Sequence, residues 1–452
     1  MKAFRKMHPG TILLSSYLVT IGVGTFLLLL PASTVSGTIS LIDAIFTATS
    51  AVCVTGLIVV DTGSYFTFFG QNVILALIQL GGLGVMTISV TIFLMMGKQV
   101  SFKQRMVMQD LFAHTPREDI NQLVKSIIWF TVIAELSGIV LLTVHWTKEY
   151  PLTKALYMGV FHSVSAFCNA GFSLFTNSFM DYTGDLFLNV VICTLIIFGG
   201  IGFPVVYDIY NTVFRSQGKR VKLSVQTKTV LITTGILILA GMAVFWSVEQ
   251  NASLHGHSFV GSFLTSLFQS ITCRTAGFNT INIATLGNAT LAFMIFLMVV
   301  GASPGSCGGG IKTTTLAVLG KFAWSRMRNK IRVNMFKKSI PKDTVAKSAS
   351  LVLISMAIII AVLFLLLLSI PDNLSSGEHH SQFLSYLFEV VSAFGTVGLS
   401  MGATSQMTCP GKFLIIIMML IGRVGVLTFS YLIAGVKLTN GIEYAEENIM
   451  IG

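Results

Sequence analysis

One unit is repeated four times along this chain: a short apolar segment of about 14 residues lies between two longer ones, at about one repeat per 110 residues. The long segments lie at about 11–31, 71–96, 124–145, 185–210, 229–248, 289–320, 346–370 and 411–436, and the short ones at 40–53, 154–168, 258–273 and 381–395. About 20 apolar residues span a bilayer as a helix, whereas about 14 residues are too short and suit a re-entrant helix. We therefore predict an all-α polytopic membrane protein with eight transmembrane helices and four re-entrant pore helices around one central pore.

The composition agrees with a chain that lipid surrounds. Hydrophobic residues make up 53% of the 452 residues and charged residues only 10%, whereas a soluble domain has about 25% charged residues. The net charge of +11 does not indicate a nucleic-acid-binding protein, because the basic residues lie in short stretches between apolar segments. The six cysteines form no CxxC or Cys/His cluster, so the sequence predicts neither a disulfide framework nor a metal site.

The basic residues also predict the orientation in the membrane. They cluster before the first long segment and after the second, fourth and sixth, at Lys2, Arg5, Lys6, Lys98, Lys103, Arg105, Arg215, Lys219, Arg220, Lys321, Arg326, Arg328, Lys330 and Arg332 among others. The opposite loops hold only Lys148, Lys154 and Lys412. The positive-inside rule then predicts a multi-pass plasma-membrane protein with both termini in the cytoplasm. The 20 apolar residues from Thr11 to Leu30 are too long for an ordinary cleaved signal peptide and are interpreted as the first span.

Five regions follow from this organisation. Residues 1–97 form pore repeat one, 98–215 repeat two and 216–320 repeat three with a glycine-rich loop at 301–315; 321–345 form a basic cytoplasmic connection and 346–452 form repeat four with the C-terminus. The basic connection is too short to be a domain of its own.

Each short segment ends in a related motif. A serine precedes a glycine by six residues in repeats one, two and four, at Ser50–Gly56, Ser165–Gly171 and Ser392–Gly398, and by seven in repeat three, at Ser270–Gly277. Backbone inside a membrane must be hydrogen-bonded internally or line water, and glycine allows backbone angles that other residues avoid. Four such loops around one axis can direct carbonyl oxygens at a dehydrated cation, as potassium-selective filters do. Close helix packing explains one such glycine but not four in the same place of a repeat.

These motifs define the predicted cation site, which contains no carboxylate. Its residues are Val54, Thr55, Gly56, Asn169, Ala170, Gly171, Thr275, Ala276, Gly277, Thr396, Val397 and Gly398. The predicted ligands are backbone carbonyls, and each short helix would direct the negative end of its dipole towards the ion.

A glycine-rich break follows the third motif. Five glycines and Pro304 within 301–315 are incompatible with a continuous helix, and irregular backbone at this depth must lie against protein or water. We predict a gate formed by Gly305, Ser306, Gly308, Gly309, Gly310, Lys312 and Arg423. A phosphate-binding P-loop is the alternative, but Ile311 separates Gly310 from Lys312 and breaks the required spacing.

Ionisable residues in the apolar segments are the remaining candidates. Arg423 lies near the middle of the last span, where an arginine indicates a functional site unless it reaches the interface. We predict that it contacts carbonyls of 305–310. His162 and Glu389 lie on predicted pore helices and favour structural hydrogen bonding over catalysis. Asp61, after the first motif, suits either an outer cation-attracting site or a solvated loop.

The motifs VTGL (54–57), NAGF (169–172), TAGF (275–278) and TVGL (396–399) resemble the filter loops of the Trk/Ktr/HKT superfamily of potassium transporters. The resemblance covers essentially the whole chain, and the chain length is similar to that of the Ktr membrane subunit. It implies bacterial potassium uptake, with potassium as the substrate and no covalently bound cofactor. It also implies a homodimer of this chain with a cytosolic ring that binds the nucleotide, docked on the basic connection and the other cytoplasmic loops.

The resemblance assigns roles to two of these residues. Gly56 favours potassium, because a serine at this place accompanies sodium selectivity in the HKT branch, and Arg423 would form a barrier to cations below the filter. The displaced Ser270 and the charged Arg274 depart from the fourfold pattern.

Three alternatives remain open from the sequence. A sodium-selective or sodium-coupled member of the same fold, including a symporter, is the first. An alternating-access transporter is the second, although such proteins usually have inverted repeats and two broken helices, whereas this chain predicts parallel repeats and one broken helix. An intramembrane serine protease at Ser303 or Ser306 is the third, and it requires a neighbouring histidine base.

Overall fold

The computed structural model describes residues 9–84, 120–214, 222–256, 258–369, 376–426 and 429. The first and second predicted basic connections, the end of the second apolar segment and most of the C-terminal region lie outside these residues. The described chain is mostly helical, and its one described sheet is a two-stranded hairpin of β1 (Asn334–Met335) and β2 (Lys338–Ser339).

The helices follow the order predicted from the apolar segments. In the first half they are α1 (Pro9–Leu28), α2 (Leu41–Val52), α3 (Thr62–Tyr65), α4 (Phe68–Gly82), α5 (Ile120–Trp146), α6 (Leu152–Phe167), α7 (Leu186–Ile201) and α8 (Phe203–Phe214). In the second half they are α9 (Val225–Glu249), α10 (Phe259–Thr272), α11 (Asn288–Val299), α12 (Thr313–Met327), α13 (Lys342–Leu367), α14 (Ser376–Gly395), α15 (Ala403–Gln406) and α16 (Cys409–Val424). The predicted boundaries at 320/321 and 345/346 fall within α12 and α13, so the described connection between these helices is 328–341.

Among the described residues, four helices are long and apolar enough to cross a membrane: Gly10–Leu28, Val124–Trp146, Val225–Glu249 and Lys342–Leu367. Their exposed faces carry large apolar side chains, including Phe26, Trp129, Ile236 and Leu353. Each of them packs against the shorter helix that follows it in the chain, α2, α6, α10 or α14. The long helices therefore surround the short ones and present apolar faces outwards, as in a bilayer.

The short helices are buried where they end. Side chains 46–52 of α2 and 161–167 of α6 are all buried, as are 388–394 of α14. Serine caps satisfy free amide groups at the start of two of them: Ser40 Oγ accepts from Asp43 N at 3.2 Å and Ser258 Oγ from Gly261 N at 3.1 Å. The capped N-terminal ends are exposed at the surface of the protein, whereas the C-terminal ends are buried in its interior.

In the part of the chain that the structure describes, two apolar segments are broken. The segment after the third motif ends as a helix at Val299 and resumes at Thr313, as predicted. The expectation of a single broken helix is wrong, because α7 and α8 meet at an angle of 92°. The chain turns at Gly202, which has φ of 97°. Counting this bent pair as one span gives five candidate spans in the described residues.

Candidate functional site

The four motif glycines form a closed ring. A Cβ atom built on each would come within 3 Å of a carbonyl oxygen in the next repeat, from Gly56 to Ala170, Gly171 to Ala276, Gly277 to Val397 and Gly398 to Thr55. The backbones therefore approach one another more closely than any side chain permits. The order of contact follows the order of the repeats and returns to the first, so the loops are arranged around one axis.

The same backbone conformation recurs in all four loops. Each glycine has positive φ, between 71° and 92°, and so does the residue two positions earlier: Val54 (55°), Asn169 (58°), Thr275 (73°) and Thr396 (49°). Positive φ is rare for any non-glycine residue and a marked outlier for β-branched valine and threonine. Such strain persists where surrounding structure enforces it and is concentrated at functional sites.

A hydroxyl at the end of each short helix holds its loop. Ser50 and Ser392 accept from the amides of Gly56 and Gly398, both at 3.1 Å. Ser165 donates to Phe172 O at 2.7 Å. Because these bonds are buried, each satisfies a backbone group that has no access to bulk water.

The third loop uses a different residue from the one expected. Thr272, not Ser270, donates to Phe278 O at 2.6 Å, and its own carbonyl accepts from Ala276 N as the serine carbonyls do in the other repeats. Ser270 instead donates to Ile238 O of α9 at 2.7 Å. The third loop is therefore one residue shorter than the others, with Thr272 five residues before Gly277, and Ser270 is not the equivalent of the other three serines.

Three residues before the hydroxyl in repeats two, three and four, a buried polar side chain joins the short helix to the segment that follows the glycine. His162 accepts at Nε2 from Leu174 N at 3.2 Å while its Nδ1 lies 2.9 Å from Met158 O, so Nδ1 carries the proton. Gln269 donates to Thr280 Oγ1 at 3.2 Å. Glu389 accepts from Ser400 Oγ, Met401 N and Thr404 Oγ1. These residues have the structural role predicted for His162 and Glu389.

Glu389→Gln is expected to lower thermal stability. The carboxylate accepts three hydrogen bonds at 2.5–3.0 Å. An amide can keep its oxygen towards Ser400 Oγ and Met401 N, but its NH₂ group then faces Thr404 Oγ1, whose hydroxyl must turn to accept. The loss of this acceptor weakens the network by about 1 kcal/mol, which a thermal melt in detergent measures. Glu135→Gln is the matched control, because this buried carboxylate accepts one side-chain nitrogen donor, from Gln79 at 3.1 Å. An equal loss in both variants would contradict a specific role for Glu389.

An open recess lies on the side of the ring where the residues after each glycine are found. It has about 590 Å³ of empty volume and is lined by Gly56, Gly171, Gly277 and Gly398 together with Ser173, Asn279, Ser400 and Asp61. Asp61 is the one carboxylate in this lining. It also caps α3 by accepting from Ser64 N at 2.6 Å, so both interpretations of Asp61 from the sequence are compatible with its position.

The glycine-rich loop covers the opposite side, where the residues before each glycine lie. Gly309 N donates to Thr396 Oγ1 at 2.8 Å, and a Cβ at Gly308 would collide with the side chain of Thr275. Lys312 Nζ donates to Gly308 O at 2.7 Å and Gly309 O at 3.3 Å. The loop thus contacts the third and fourth ring loops directly, and a lysine of its own fixes its shape.

Arg423 ties this loop to the first repeat. Its guanidinium donates to the carbonyl of Cys307, within the predicted 305–310 segment, and to the carbonyl of Gly81 in α4. Its Nε donates to Tyr17 Oη at 3.3 Å. The break between α7 and α8 completes the attachment, since Ser303 N and Cys307 N donate to Gly200 O and Gly199 O, both at 3.1 Å. Hydrogen bonds therefore attach the loop to repeats one, two and four.

A further sequence signal surrounds Arg423. The chain has Gly81-Gly82-Leu83-Gly84, Gly199-Gly200-Ile201-Gly202 and Gly422-Arg423-Val424-Gly425. The first glycine of each motif lies against a carbonyl in the last turn of its own short helix, and the last glycine has positive φ. Arg423 thus occupies the position that a glycine holds in repeats one and two.

Arg274 has few partners for a charged side chain in an apolar setting. It is 7% exposed, its Nη2 lies 3.5 Å from Thr234 Oγ1, and its Nε has no hydrogen-bond partner among the described residues. The described residues also contain no cluster of three His, Cys, Asp or Glu side chains suited to a metal ion.

A family model described as "TrkH: Cation transport protein" matches residues 2–440. The chain belongs to the TrkH cation transport family. Among its TrkH-family relatives, "Ktr system potassium uptake protein B" of Vibrio alginolyticus is 39% identical over 98% of this chain and 94% of its own length. The Bacillus subtilis protein of the same name is 38% identical over 99% and 97%. "Potassium/sodium uptake protein NtpJ" of Enterococcus hirae is 35% identical over 99% and 98%.

A solved TrkH-family structure has the same fold. The crystal structure of the potassium transporter TrkH from Vibrio parahaemolyticus matches 94% of this chain and 85% of its own, with a TM-score of 0.73 and 18% identity. These relatives are named as ion transporters, not enzymes. In the described part of the chain, neither candidate serine has the histidine base that a protease requires. Ser306 Oγ donates to Ser303 O and Ser303 Oγ accepts from Thr313, and no described histidine bonds to either serine.

Proposed function

We propose that this chain forms the potassium-conducting pore of a bacterial potassium-uptake system. The observation that carries the proposal is the closed ring of four glycine loops, where backbone approaches backbone and no carboxylate is present. Carbonyl oxygens replace the water shell of K⁺ in such a site. The residues are those named from the sequence in 54–56, 169–171, 275–277 and 396–398. The names of the Vibrio alginolyticus and Bacillus subtilis relatives support potassium as the ion.

The proposed layout has eight transmembrane helices and four re-entrant helices, with both termini in the cytoplasm of a bacterial plasma membrane. The apolar outer faces and the basic connections support it. The five regions remain its proposed units, with the described basic connection limited to 328–341. The cyclic contacts and the common backbone conformation support parallel repeats, which argues against alternating access between inverted repeats. The break at Gly202 means that the number of broken helices no longer argues against that alternative.

Flux measurements in liposomes test the proposal directly. We expect purified protein to take up K⁺ (or Rb⁺) faster than Na⁺ by at least about tenfold, corresponding to about 1.4 kcal/mol. Equal K⁺ and Na⁺ rates would contradict a selective potassium pore. Sodium-selective flux, or K⁺ flux that requires Na⁺, would favour the sodium alternative that the name of the Enterococcus hirae relative keeps open.

The gate is proposed to be the loop 301–315 with Arg423. Its contacts on one side of the ring support this role, because an ion that passes the four glycines would next meet this loop. The residues that hold it are Gly305, Ser306, Gly308, Gly309, Gly310, Lys312 and Arg423. Opening requires the loop to leave Thr396 and the Gly199–Gly200 carbonyls.

Thr396→Val is expected to raise flux by loosening this loop. Valine keeps the shape of threonine but removes the oxygen that accepts from Gly309 N, and loss of a buried hydrogen bond costs about 1–3 kcal/mol. We expect about a three- to tenfold increase in K⁺ flux. Thr55→Val is the control, because Thr55 Oγ1 is buried with no hydrogen-bond partner in the described structure. Equal effects of the two substitutions would exclude the Gly309 contact as the cause.

We propose that a homodimer of this chain works with a cytosolic nucleotide-binding ring. The word "system" in the relatives' names supports more than one component. Co-purification with a cytosolic nucleotide-binding protein, and a nucleotide effect on flux only in its presence, are the expected results. Nucleotide-dependent flux from this chain alone would contradict the proposal.

A further inference from the structure

A basic pocket lies where α12 ends, away from the ring. It has about 480 Å³ of empty volume and is lined by four cationic side chains, an indole and an amide: Lys321, Arg328, Lys330, Arg332, Trp324 and Asn334. No carboxylate lines it, and the sequence has no Asp or Glu between Glu249 and Asp343. The ion pairs found in the described part of the chain, His145–Asp185 and Lys412–Asp43, lie elsewhere. Four positive charges therefore surround one cavity without a described countercharge.

The end of a helix does not account for so much charge. The C-terminus of a helix carries the equivalent of about half a negative charge, which one cation offsets. At the end of α12, Asn329 N and Lys330 N already donate to the carbonyls of Arg326 and Ser325, at 2.9 and 2.8 Å. Arg326 lies over the Phe322 ring, outside the pocket. The pocket cations are thus in excess of what α12 requires, and an anion is the ligand that would balance them.

One pocket cation is held in a fixed position. Arg328 Cζ lies 4.6 Å from the centroid of the Trp324 ring, a cation–π contact that orients the guanidinium plane. An oriented guanidinium donates two parallel hydrogen bonds to a phosphate, which a lysine cannot do. The pocket therefore suits a phosphate better than a diffuse anionic surface.

The surroundings of the pocket are apolar and exposed. Met327 is 77%, Ile331 74% and Phe336 42% exposed. Phe336 and Lys337 form the two-residue turn between β1 and β2 with φ of 48° and 64°, angles that usually require Asn-Gly. The strained turn leaves the aromatic Phe336 exposed at the tip of the hairpin. Exposed apolar side chains mixed with lysine and arginine are typical of segments that lie at a membrane interface.

We propose that this pocket binds the phosphate of an anionic phospholipid in the leaflet next to the α12–α13 connection. The cations and the oriented guanidinium recognise the phosphate, and the exposed apolar side chains around the pocket contact the acyl region. An acidic protein surface would pair with the cations but would leave the exposed Met327, Ile331 and Phe336 without an apolar partner. The inference is independent of which ion passes the glycine ring.

Lipid binding to the purified full chain tests the proposal. Delipidated protein in a neutral detergent is titrated with phosphatidylglycerol or phosphatidylcholine, and bound lipid is counted by native mass spectrometry. Arg328→Gln/Arg332→Gln removes two pocket charges. Lys337→Gln/Lys338→Gln removes the same charge from the hairpin outside the pocket lining. We expect preferential binding of phosphatidylglycerol, a loss of about tenfold or more in the pocket variant and less than about threefold in the hairpin variant.

Several outcomes would overturn the proposal. They are equal binding of the two lipids, equal losses in the two variants, and competition by millimolar inorganic phosphate, which would indicate a free-anion site. Unchanged lipid binding with loss of a cytosolic protein partner would indicate a protein contact instead. Should the glutamine pair fail to fold, Arg328→Lys keeps the charge but loses the paired hydrogen bonds. It is expected to weaken phosphatidylglycerol binding by about threefold, and unchanged affinity would again contradict the proposal.

Discussion

Gly56→Ser is expected to abolish selective K⁺ flux. Position 56 has φ of 88°, and a Cβ there would come within 3 Å of Ala170 O and close to the Gly171 backbone. A side chain must therefore push two of the four loops apart and change the distances between carbonyl oxygens, on which selectivity depends. We expect the K⁺/Na⁺ flux ratio in liposomes to fall by about tenfold or more, which corresponds to about 1.4 kcal/mol.

The control must separate backbone strain from crowding of the ring. Gly37 also has positive φ, 75°, but a Cβ there meets no atom within 4 Å. Gly37→Ser should thus cost about 1–2 kcal/mol of strain and leave the flux ratio unchanged. A normal ratio in Gly56→Ser, or an equal fall in both variants, would mean that the glycine ring does not determine selectivity.

Arg423→Ala is expected to raise K⁺ flux. The substitution removes the hydrogen bonds to Cys307 O, Gly81 O and Tyr17 Oη together with a positive charge. Hydrogen bonds of a charged group contribute about 1.5–3 kcal/mol each, so the closed loop should lose stability relative to the open one. We expect at least about tenfold higher K⁺ flux in liposomes and a weaker response to a regulatory partner.

Two further variants separate the charge of Arg423 from its contacts. Arg423→Lys keeps the charge but cannot reach two carbonyls with one planar group, so intermediate flux is expected if the hydrogen bonds hold the loop. Tyr17→Phe removes only the 3.3 Å contact and should have a small effect. If Arg423→Lys equals wild type and Arg423→Ala is fast, the barrier is electrostatic. Wild-type flux and regulation in Arg423→Ala would refute the gate.

The short helices and the loop after the third motif were predictable from sequence. Their signals are local: about 14 apolar residues before a glycine, and five glycines with a proline in 301–315. The bend at Gly202 was not predicted, because the apolar run continues through the break. Hydropathy shows how long an apolar segment is but not whether its helix axis bends. Gly199-Gly200-Ile201-Gly202 carried the signal, but it becomes apparent only beside its counterparts in repeats one and four.

Equivalences between repeats were harder to predict than the repeats themselves. His162, Gln269 and Glu389 share one position and one task, yet their side chains differ in charge and shape. Thr272 takes the place of the serine in a loop that is one residue shorter, so a search for serine alone leads to Ser270, which bonds α9 instead. Any buried side chain that forms a hydrogen bond to the segment after the glycine can occupy this position. The hydrogen bond therefore recurs in these three repeats although the residue type differs.

The Gly-x-x-Gly motif of α4, α7 and α16 bears on how the proposed pore is gated. If four identical subunits surrounded the axis, a substitution in this motif would appear four times, and four guanidinium groups would repel one another and every cation. Here the four sectors belong to one polypeptide, and only the last carries Arg423 where the first two carry glycine. Because the repeats lie in one chain, one of them can carry a positive charge that the others lack, whereas four identical subunits would carry four.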